Sequence, residues 1–528
     1  MFTIRYAVAL LISFPLICLS VFRPFAAMGD GPVALYINDW TTQFGTADWD
    51  QAYGVSADGA GNVYVTGETT GSLGGANAGL YDSFANSYDI HGAANGSTQT
   101  GTTGSDIGTG VAADGLGNVF VSGYSQGPLD GPNGGGYQAT LNNYSPSGTL
   151  QWSQSIGPVQ TYGYSVAADG QGSAYIAGYT TGSLNEPNSG GYDGYVAKYD
   201  AAGNAQWTHQ FGTTAQDQAY GVSSDGSNGV YVVGSTTGDL GATNAGGFDA
   251  FVRKYDAAGN VQWTQQFGTA GNDIAQAVSA NKAGSVFVVG NTSGALGGPN
   301  AGLSDAFVSK FNAAGTLQWT KQFGTASNDY AYGAAADAHG NVFVVGYTQG
   351  SLGGTNAGNY DAFLTEFNGV GQQMWTEQFG TPGIDLATSV TVDAQGHVYV
   401  VGSTTGALGG PNAGSFDGWI ARFSPVPVPG DFNRDGIVDS ADIFAMMGAL
   451  VDLPGYMSTF DVSATDLMTI GNLDGDNAIT NADLQALLNI LISGGTPVQN
   501  VPEPAAFVLM AISGILGAVL LRKTLKTK

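Results

Sequence analysis

Sulfur and positive charge are scarce in this 528-residue chain. Its single cysteine, Cys18, sits inside an apolar N-terminal run, so the rest of the chain can form no disulfide and offers no thiol chemistry. Fourteen Lys and Arg stand against 41 Asp and Glu, for a net charge of −27. Arg5, Arg23, Arg522, Lys523, Lys526 and Lys528 lie in the two termini, so the stretch between them is more acidic still. That balance speaks against nucleic acid and anionic lipid as partners. The four histidines (His91, His209, His339 and His397) fall at different places along the chain and show no metal-ligand spacing. Over most of the length there is no helical periodicity either.

What is abundant is repetition. Trp40, Trp152, Trp207, Trp263, Trp319 and Trp375 mark a period of 55 or 56 residues, with one marker missing near residue 96. The glycine that ends each V-Y-V-type run confirms seven copies, at Gly67, Gly123, Gly178, Gly234, Gly290, Gly346 and Gly402. Each copy holds four short runs rich in Val, Phe, Tyr, Trp and Thr, parted by Gly, Asn and Asp clusters. In the fifth they are the run from Asp273 to Val278, Val286–Val289, Asp305–Phe311 and Leu317–Phe323, the last two joined by a loop of hairpin length, 312–316. Four antiparallel strands repeated seven times predict an all-β, seven-bladed propeller of four-stranded blades over residues 34–424. The last copy ends at Phe423 without a Trp strand, and the first has a surplus one, Leu35–Phe44. Pairing the two closes the ring and leaves no open edge.

The units resemble the SBBP (seven-bladed β-propeller) repeat of bacterial secreted proteins, through Asp249-Ala250-Phe251-Val252-Arg253-Lys254, Gly259-Asn260-Val261-Gln262-Trp263 and Asp337 through Gly346. The resemblance implies a fold and little about activity. The turn before each Trp is similar in outline to the tryptophan-docking motif of quinoprotein dehydrogenases, and a repeated structural hairpin accounts for it equally well. Three polar sets recur: Asp50, Asp106, Asp217, Asp273, Asp329 and Asp385; Asp58, Asp114, Asp169, Asp225, Asp337 and Asp393; and Asn77, Asn133, Asn188, Asn244, Asn300, Asn356 and Asn412. A residue needed in every copy is expected to bond its own turn; the alternative is a ring of loop amides that binds glycan or cations. A glycosidase would need a singular pair of carboxyl groups, and the acids that break the repeat are Glu68, Glu186, Glu366 and Glu377. Glu366 and Glu377 read as solvated strand positions, and no catalytic constellation is expected.

After the Pro-rich linker 425–430 the composition changes. Asp431, Asn433, Asp435, Asp439 and Asp442, with the Ile437 carbonyl and Gly436 at the sharp turn, match the oxygen-ligand spacing of an EF-hand-like calcium loop. A second loop offers Asn472, Asp474, Asp476, Thr480 and Asp483 with the Ala478 carbonyl, and has Asn477 where glycine is usual. Each runs into an apolar helical segment, Ile443–Leu450 and Leu484–Leu491. Asp at position twelve and the paired loop-helix units over 431–494 resemble a type I dockerin. That resemblance implies two calcium ions and a cohesin-like partner, met through Ser440, Ala441, Asn481 and Ala482; these differ from the Ser-Thr pair usual in cellulosomal members.

The two ends read as addresses. Residues 1–27 have the charge, apolar core and small residues of a signal peptide. Pro502-Glu503-Pro504, the apolar run Ala505–Leu521 and the basic end at Arg522–Lys526 resemble a PEP-CTERM sorting signal over 501–528. This implies an exosortase-type enzyme as partner, a membrane-held stage before processing, and the envelope or matrix of a Gram-negative bacterium. The chain as a whole therefore reads as an exported, non-enzymatic interaction platform for polysaccharide or protein. A carbohydrate-active (glycoside hydrolase-like) propeller delivered to its substrate by the dockerin-like module is the rival reading.

Overall fold

The computed structural model describes residues 36–493 except 128–135, 159, 228, 435–437, 461 and 477; the segments expected to be a signal peptide and a PEP-CTERM-like tail lie outside these. The chain divides into two units, 36–424 and a second that contains 425–493. The first is built of antiparallel four-stranded sheets. Blade 5 shows how the sequence makes one. β18 (Asp273–Ala280) alternates buried and half-buried residues, β19 (Ser285–Thr292) and β20 (Asp305–Asn312) are buried almost throughout, and β21 (Leu317–Phe323) is largely exposed. A strand with both faces buried reads as a continuous apolar run, which is why the Val286–Val289 stretch does not alternate. Both faces of a blade are covered by its neighbours: Tyr231, Val233 and Val252 of blade 4 pack with Val278, Val288 and Phe307 of blade 5 in one core cluster.

The marker glycine is fixed by backbone, not by a turn. A Cβ on Gly290 would stand 1.9 Å from the Ile274 carbonyl oxygen, beside a register shift at Ala275/Ala277. The same clash, at 1.7–2.0 Å, meets each of the seven glycines from Gly67 to Gly402. Only glycine lets the two inner strands approach so closely at that bulge.

The sheets are seven, six of them formed by consecutive strands. Blade 1 holds β2–β5 (residues 50–100), blade 2 β6–β9 (106–156), blade 3 β10–β13 (161–211) and blade 4 β14–β17 (217–267); blade 5 follows, and blade 6 holds β22–β25 (329–379). The seventh has the order β1-β28-β27-β26, in which β1 (Tyr36–Phe44) lies outermost on β28 (Asp417–Pro425), β27 (Val398–Thr404) and β26 (Asp385–Val392). The surplus Trp strand at the start thus completes the last blade.

The repeated tryptophans join blades. Trp263, on the outer strand of blade 4, donates its indole N–H to the Ala313 carbonyl of the blade 5 hairpin at 3.1 Å, and its ring lies against Gly315, whose φ is +81°. Trp40, Trp152, Trp207 and Trp319 make the same bond to the next blade, at 2.8–3.2 Å. Where blade 1 has Gly96 in place of tryptophan, the Thr98 hydroxyl reaches the Gly148 carbonyl instead, at 2.9 Å. The faintly expected docking motif is therefore a blade-to-blade dock. Trp375 meets the seam, where β28 and β1 share no hairpin. It stacks on Tyr36 at 5.5 Å and turns its N–H to Glu366 at 2.7 Å. Glu366 is thus not the solvated residue expected from its strand position. It is buried, and burial lifts its carboxyl to about 7.

Residues 440–493 form four helices, two more than the paired loop-helix reading expects: α1 (Ser440–Val451), α2 (Leu453–Phe460), α3 (Ala464–Gly471) and α4 (Asn481–Ser493). Their core gathers Phe432, Met446, Tyr456, Leu467, Ile470 and Leu487, and Tyr456 donates its hydroxyl to the Phe432 carbonyl at 3.0 Å. Among the described residues no single helix is long and apolar enough to cross a membrane.

Two outcomes follow from the seam. Deleting residues 36–44 uncovers the edge of β28 and removes the Trp40 dock, so the protein should aggregate or unfold at a clearly lower denaturant midpoint; an unchanged midpoint would contradict this closure. Glu366 has a raised folded pKa, so its share of stability is complete below the ordinary glutamate range and is lost as pH rises through about 7. Denaturant titrations at pH 5 and pH 8 should differ less for Glu366→Gln than for the parent, by roughly 2.5 kcal/mol.

Candidate functional site

Two places on the molecule gather chemistry. The first is the pair of acidic loops around α1 and α4. In the second loop, carboxylate oxygens of Asp474, Asp476 and Asp483 come within 4.8 Å of one another. Asp483 is buried and organises the loop: Oδ1 accepts the N–H groups of Leu473 (2.7 Å) and Asp474 (3.1 Å), and Oδ2 that of Thr480 (2.8 Å). Burial pushes its carboxyl up, and those three donors oppose the shift. Gly475, at φ +83°, makes the turn that brings Asp474 and Asp476 together. Asn472 caps α3 and accepts the Gly475 N–H at 3.1 Å, while Thr480 Oγ accepts that of Ala482.

The first loop repeats the plan where it is described. Asp442 is fully buried, and its two oxygens accept the N–H groups of Asn433 (3.0 Å) and Asp439 (2.8 Å). Asp439 caps α1 through the Ala441 N–H at 2.6 Å, and Asp431 is buried nearby in sequence. Asp435 and Ile437 lie outside the described residues, as do Pro502, Glu503 and Pro504. Ser440, Ala441, Asn481 and Ala482 are all exposed, on the first turns of α1 and α4.

The second place is the propeller axis. A cavity of about 570 Å³ is lined by the half-buried residues of the inner strands, among them Tyr53, Tyr124, Tyr164, Tyr220, Tyr332, Tyr347 and Gln276. Among the described residues no charged side chain stands in its wall. The rings form an arc in two separate stretches: Tyr164 stacks on Tyr179 at 5.1 Å, bonds its hydroxyl at 3.0 Å and touches Tyr124 and Tyr220, and Tyr332 stacks on and bonds Tyr347 in the same way. Burial raises the hydroxyls of Tyr164 and Tyr220 to about 12, so they remain protonated donors. At the position of Tyr179 and Tyr347, blade 1 carries Glu68. It is buried, 2.9 Å from the Tyr53 hydroxyl, and desolvation raises its carboxyl against the pull of that bond.

Sequence reasoning overlooked this arc because it looked for what recurs. The axial positions differ from copy to copy, Tyr53, Thr109, Tyr164, Tyr220, Gln276, Tyr332 and Thr388, and aligning the copies to find the variable positions is the signal that exposes them. The recurrent asparagines, by contrast, do what turn residues do. Asn77, Asn188, Asn244, Asn300, Asn356 and Asn412 each accept the N–H two residues on, at 2.8–3.0 Å. Asn133 is outside the described residues.

Six stretches of the chain, 39–74, 95–130, 151–185, 206–241, 318–353 and 375–410, match the SBBP Beta-propeller repeat family. The fifth copy falls between them and forms the same four-stranded blade. The chain is thus a β-propeller repeat protein. It is 28% identical over 333 residues to the Regulatory protein FlaEY of Caulobacter vibrioides, covering 53% of this chain and 34% of that one. An uncharacterized WD repeat-containing protein of Acanthamoeba polyphaga mimivirus is 21% identical over 232 residues, covering 34% of this chain and 17% of its own. The chain therefore spans about a third or less of these curated relatives. A crystal structure of a protein of unknown function from Bacteroides caccae is similar at 12% identity and a TM-score of 0.35, covering 58% of this chain and 94% of that one.

The loop geometry generates a metal prediction. With the full chain, adding calcium should raise the helical signal of 431–494 and its unfolding temperature, while the β signal stays put. Asp474→Ala should remove the second loop's part of that gain. Helicity already complete in chelator, and indifferent to the substitution, would show that the loops bind no calcium.

Proposed function

We propose that this protein is an exported surface or matrix protein whose propeller is an interaction platform, and that its axial cavity takes a segment of neutral polysaccharide. The observation that carries the reading is the wall of that cavity, tyrosine rings and hydroxyls with no charge among them. Aromatic faces suit the C–H faces of a sugar ring, and Tyr, Gln and Thr supply donors and acceptors for its hydroxyls. A charged ligand would lose its hydration there with nothing to replace it. The acidic balance of the chain adds repulsion against anionic chains.

In this reading residues 431–494 are a dockerin-like module with two calcium ions. Asp431, Asn433, Asp435, Asp439, Asp442 and the Ile437 carbonyl would hold one; Asn472, Asp474, Asp476, Asp483, Thr480 and the Ala478 carbonyl would hold the other. The donor set fits a hard cation: all oxygen, mostly carboxylate, with three oxygens of the second loop already convergent. Calcium there would supply folding free energy. Ser440, Ala441, Asn481 and Ala482 would meet a cohesin-like partner. The N-terminal run would direct export, and Pro502-Glu503-Pro504 with its apolar tail would be read by an exosortase-type enzyme at the membrane.

Glu68 favours the second reading, a carbohydrate-active propeller, because it is a buried acid bonded to a cavity tyrosine. One experiment separates the two. Neutral and uronic-acid oligosaccharides are titrated calorimetrically against the full protein, with reducing ends measured alongside. Neutral chains should bind, and Tyr164→Ala and Tyr332→Ala should each weaken binding about tenfold, as a lost stacking contact of ~1.4 kcal/mol implies. Equal binding of acidic chains, or indifference to both variants, places the site elsewhere; new reducing ends that vanish in Glu68→Gln would favour catalysis.

A further inference from the structure

Six of the seven blade junctions bury two aspartates side by side. At the junction of blades 5 and 6, Asp305 opens β20 and Asp329 opens β22, exposed to 1% and 0%. Both converge on Gly324, where a Cβ would lie 2.7 Å from Asp305 Oδ1 and 2.9 Å from Asp329 Oδ2. Gly380 brings Asp361 Oδ1 (2.6 Å) and Asp385 Oδ2 (3.1 Å) together in the same way, and Gly268 does so for Asp249 (2.3 Å) and Asp273 (3.1 Å). The pairs Asp417/Asp50, Asp82/Asp106 and Asp193/Asp217 hold the corresponding positions and are equally buried.

In four of the pairs the hydrogen bonds are unequal. Asp329 Oδ2 accepts both the N–H (2.6 Å) and the hydroxyl (3.0 Å) of Thr325, and Oδ1 accepts the hydroxyl of Thr348. Asp305 Oδ2 accepts the Ala301 N–H and the Gln322 amide, both at 2.8 Å, while its Oδ1 has no partner. The matching oxygen is bare in Asp82, Asp193, Asp249, Asp361 and Asp417 as well, and in the Asp82/Asp106 and Asp417/Asp50 pairs Oδ1 of the second aspartate is bare too. The ion pairs of the described residues involve none of these twelve carboxyl groups. A bare buried carboxylate costs several kcal/mol, and a second one a few ångströms away, facing the same glycine, raises the cost of ionising both. Some positive charge must enter. Calcium wants six or more oxygens, and here three of the four carboxylate oxygens already serve N–H and O–H donors. A proton needs only the bare one.

We propose that each of these six aspartate pairs binds one proton, taken up by the pair as a unit, so that the folded propeller carries six protons at a pH where free aspartates are ionised. The remaining junction, between blades 2 and 3, shows the substitute. Gln138 and Thr161 stand where the two aspartates belong, and both donate, to the Gly157 and Pro158 carbonyls at 2.8 Å. Both acids are absent together, as expected if neither is useful without the other. Burial, with a smaller push from the neighbouring carboxylate, raises Asp106, Asp329 and Asp385, opposed by their hydroxyl and backbone donors. The charge bearing on Asp329 is that of Asp305; Tyr330 on β22 is its other titratable neighbour, and Gln322 and Thr348 from the flanking strands do not titrate. Folded values above unfolded ones mean stability that is complete below the aspartate range and lost as pH rises through the folded values.

The test counts protons. The full chain is unfolded by denaturant at pH 6 in unbuffered solution, and the protons released are titrated. Asp305→Asn, which puts an amide donor where the bare oxygen was, should lower the release by one, and Asp361→Asn by one more. Gln138→Asp with Thr161→Asp should raise it by one, so the count does not rest on one variant that fails to fold. Infrared spectra of the folded parent at the same pH should show protonated carboxyl groups that disappear on unfolding. A release that none of these substitutions alters, or purified protein carrying about six equivalents of a metal cation, would overturn the proposal.

Discussion

A blade of this protein has two apolar faces and no layer of its own to cover them. Each must be covered by the blade on either side, and the last by the first. The inner strands can be continuous runs of valine only because of that mutual burial. The outer strands, which face solvent, keep their tryptophans for docking onto the next hairpin. The cost of leaving any one face uncovered is what makes the pairing of β1 with β28 a requirement of the whole ring, not a detail of one blade.

Much of this frame was legible in the sequence, because a frame is what a repeat encodes. Seven glycines, four strands per copy and a stray Trp strand are enough to derive the ring and its closure. Burial was harder to see. Asp50, Asp217 and Asp273 read as turn residues, and they do bond the backbone four residues back, yet their exposure is 0%. Their partners Asp417, Asp193 and Asp249 looked like the polar starts of strands. In five of the pairs the two members lie 24 residues apart in adjacent copies, and Asp50 and Asp417 come from opposite ends of the ring; no local pattern says that they meet. Glu366 misled for a similar reason: the lysines at its repeat position, Lys198, Lys254 and Lys310, suggest solvent, yet Ser87, Asn143 and Arg422 at that position are buried as well.

The acidic loops were legible in a different way, through ligand spacing alone. Their geometry adds that the acid at position twelve tethers the backbone of its own loop, through Asp442 in one and Asp483 in the other. The loop is therefore shaped before any cation is considered. Helices α2 and α3, which no spacing announces, supply Tyr456, Leu467 and Ile470 to the core that holds the two loop-helix units together. They carry no periodic motif, only apolar residues that suit a small shared core.

The seam also sets an order in time. Ser424 on β28 bonds Asp39 on β1 across 385 residues of chain, whereas every other blade is assembled from strands that follow one another directly. Six blades can form from local contacts as the chain emerges, but the first strand to be made has no sheet to join until the last has been made. Throughout that interval β1 is an unpaired edge with a tryptophan and a phenylalanine on it. A chain threaded across a membrane from its N-terminus would expose this edge for the whole length of the crossing, with every earlier blade available to it as a wrong partner.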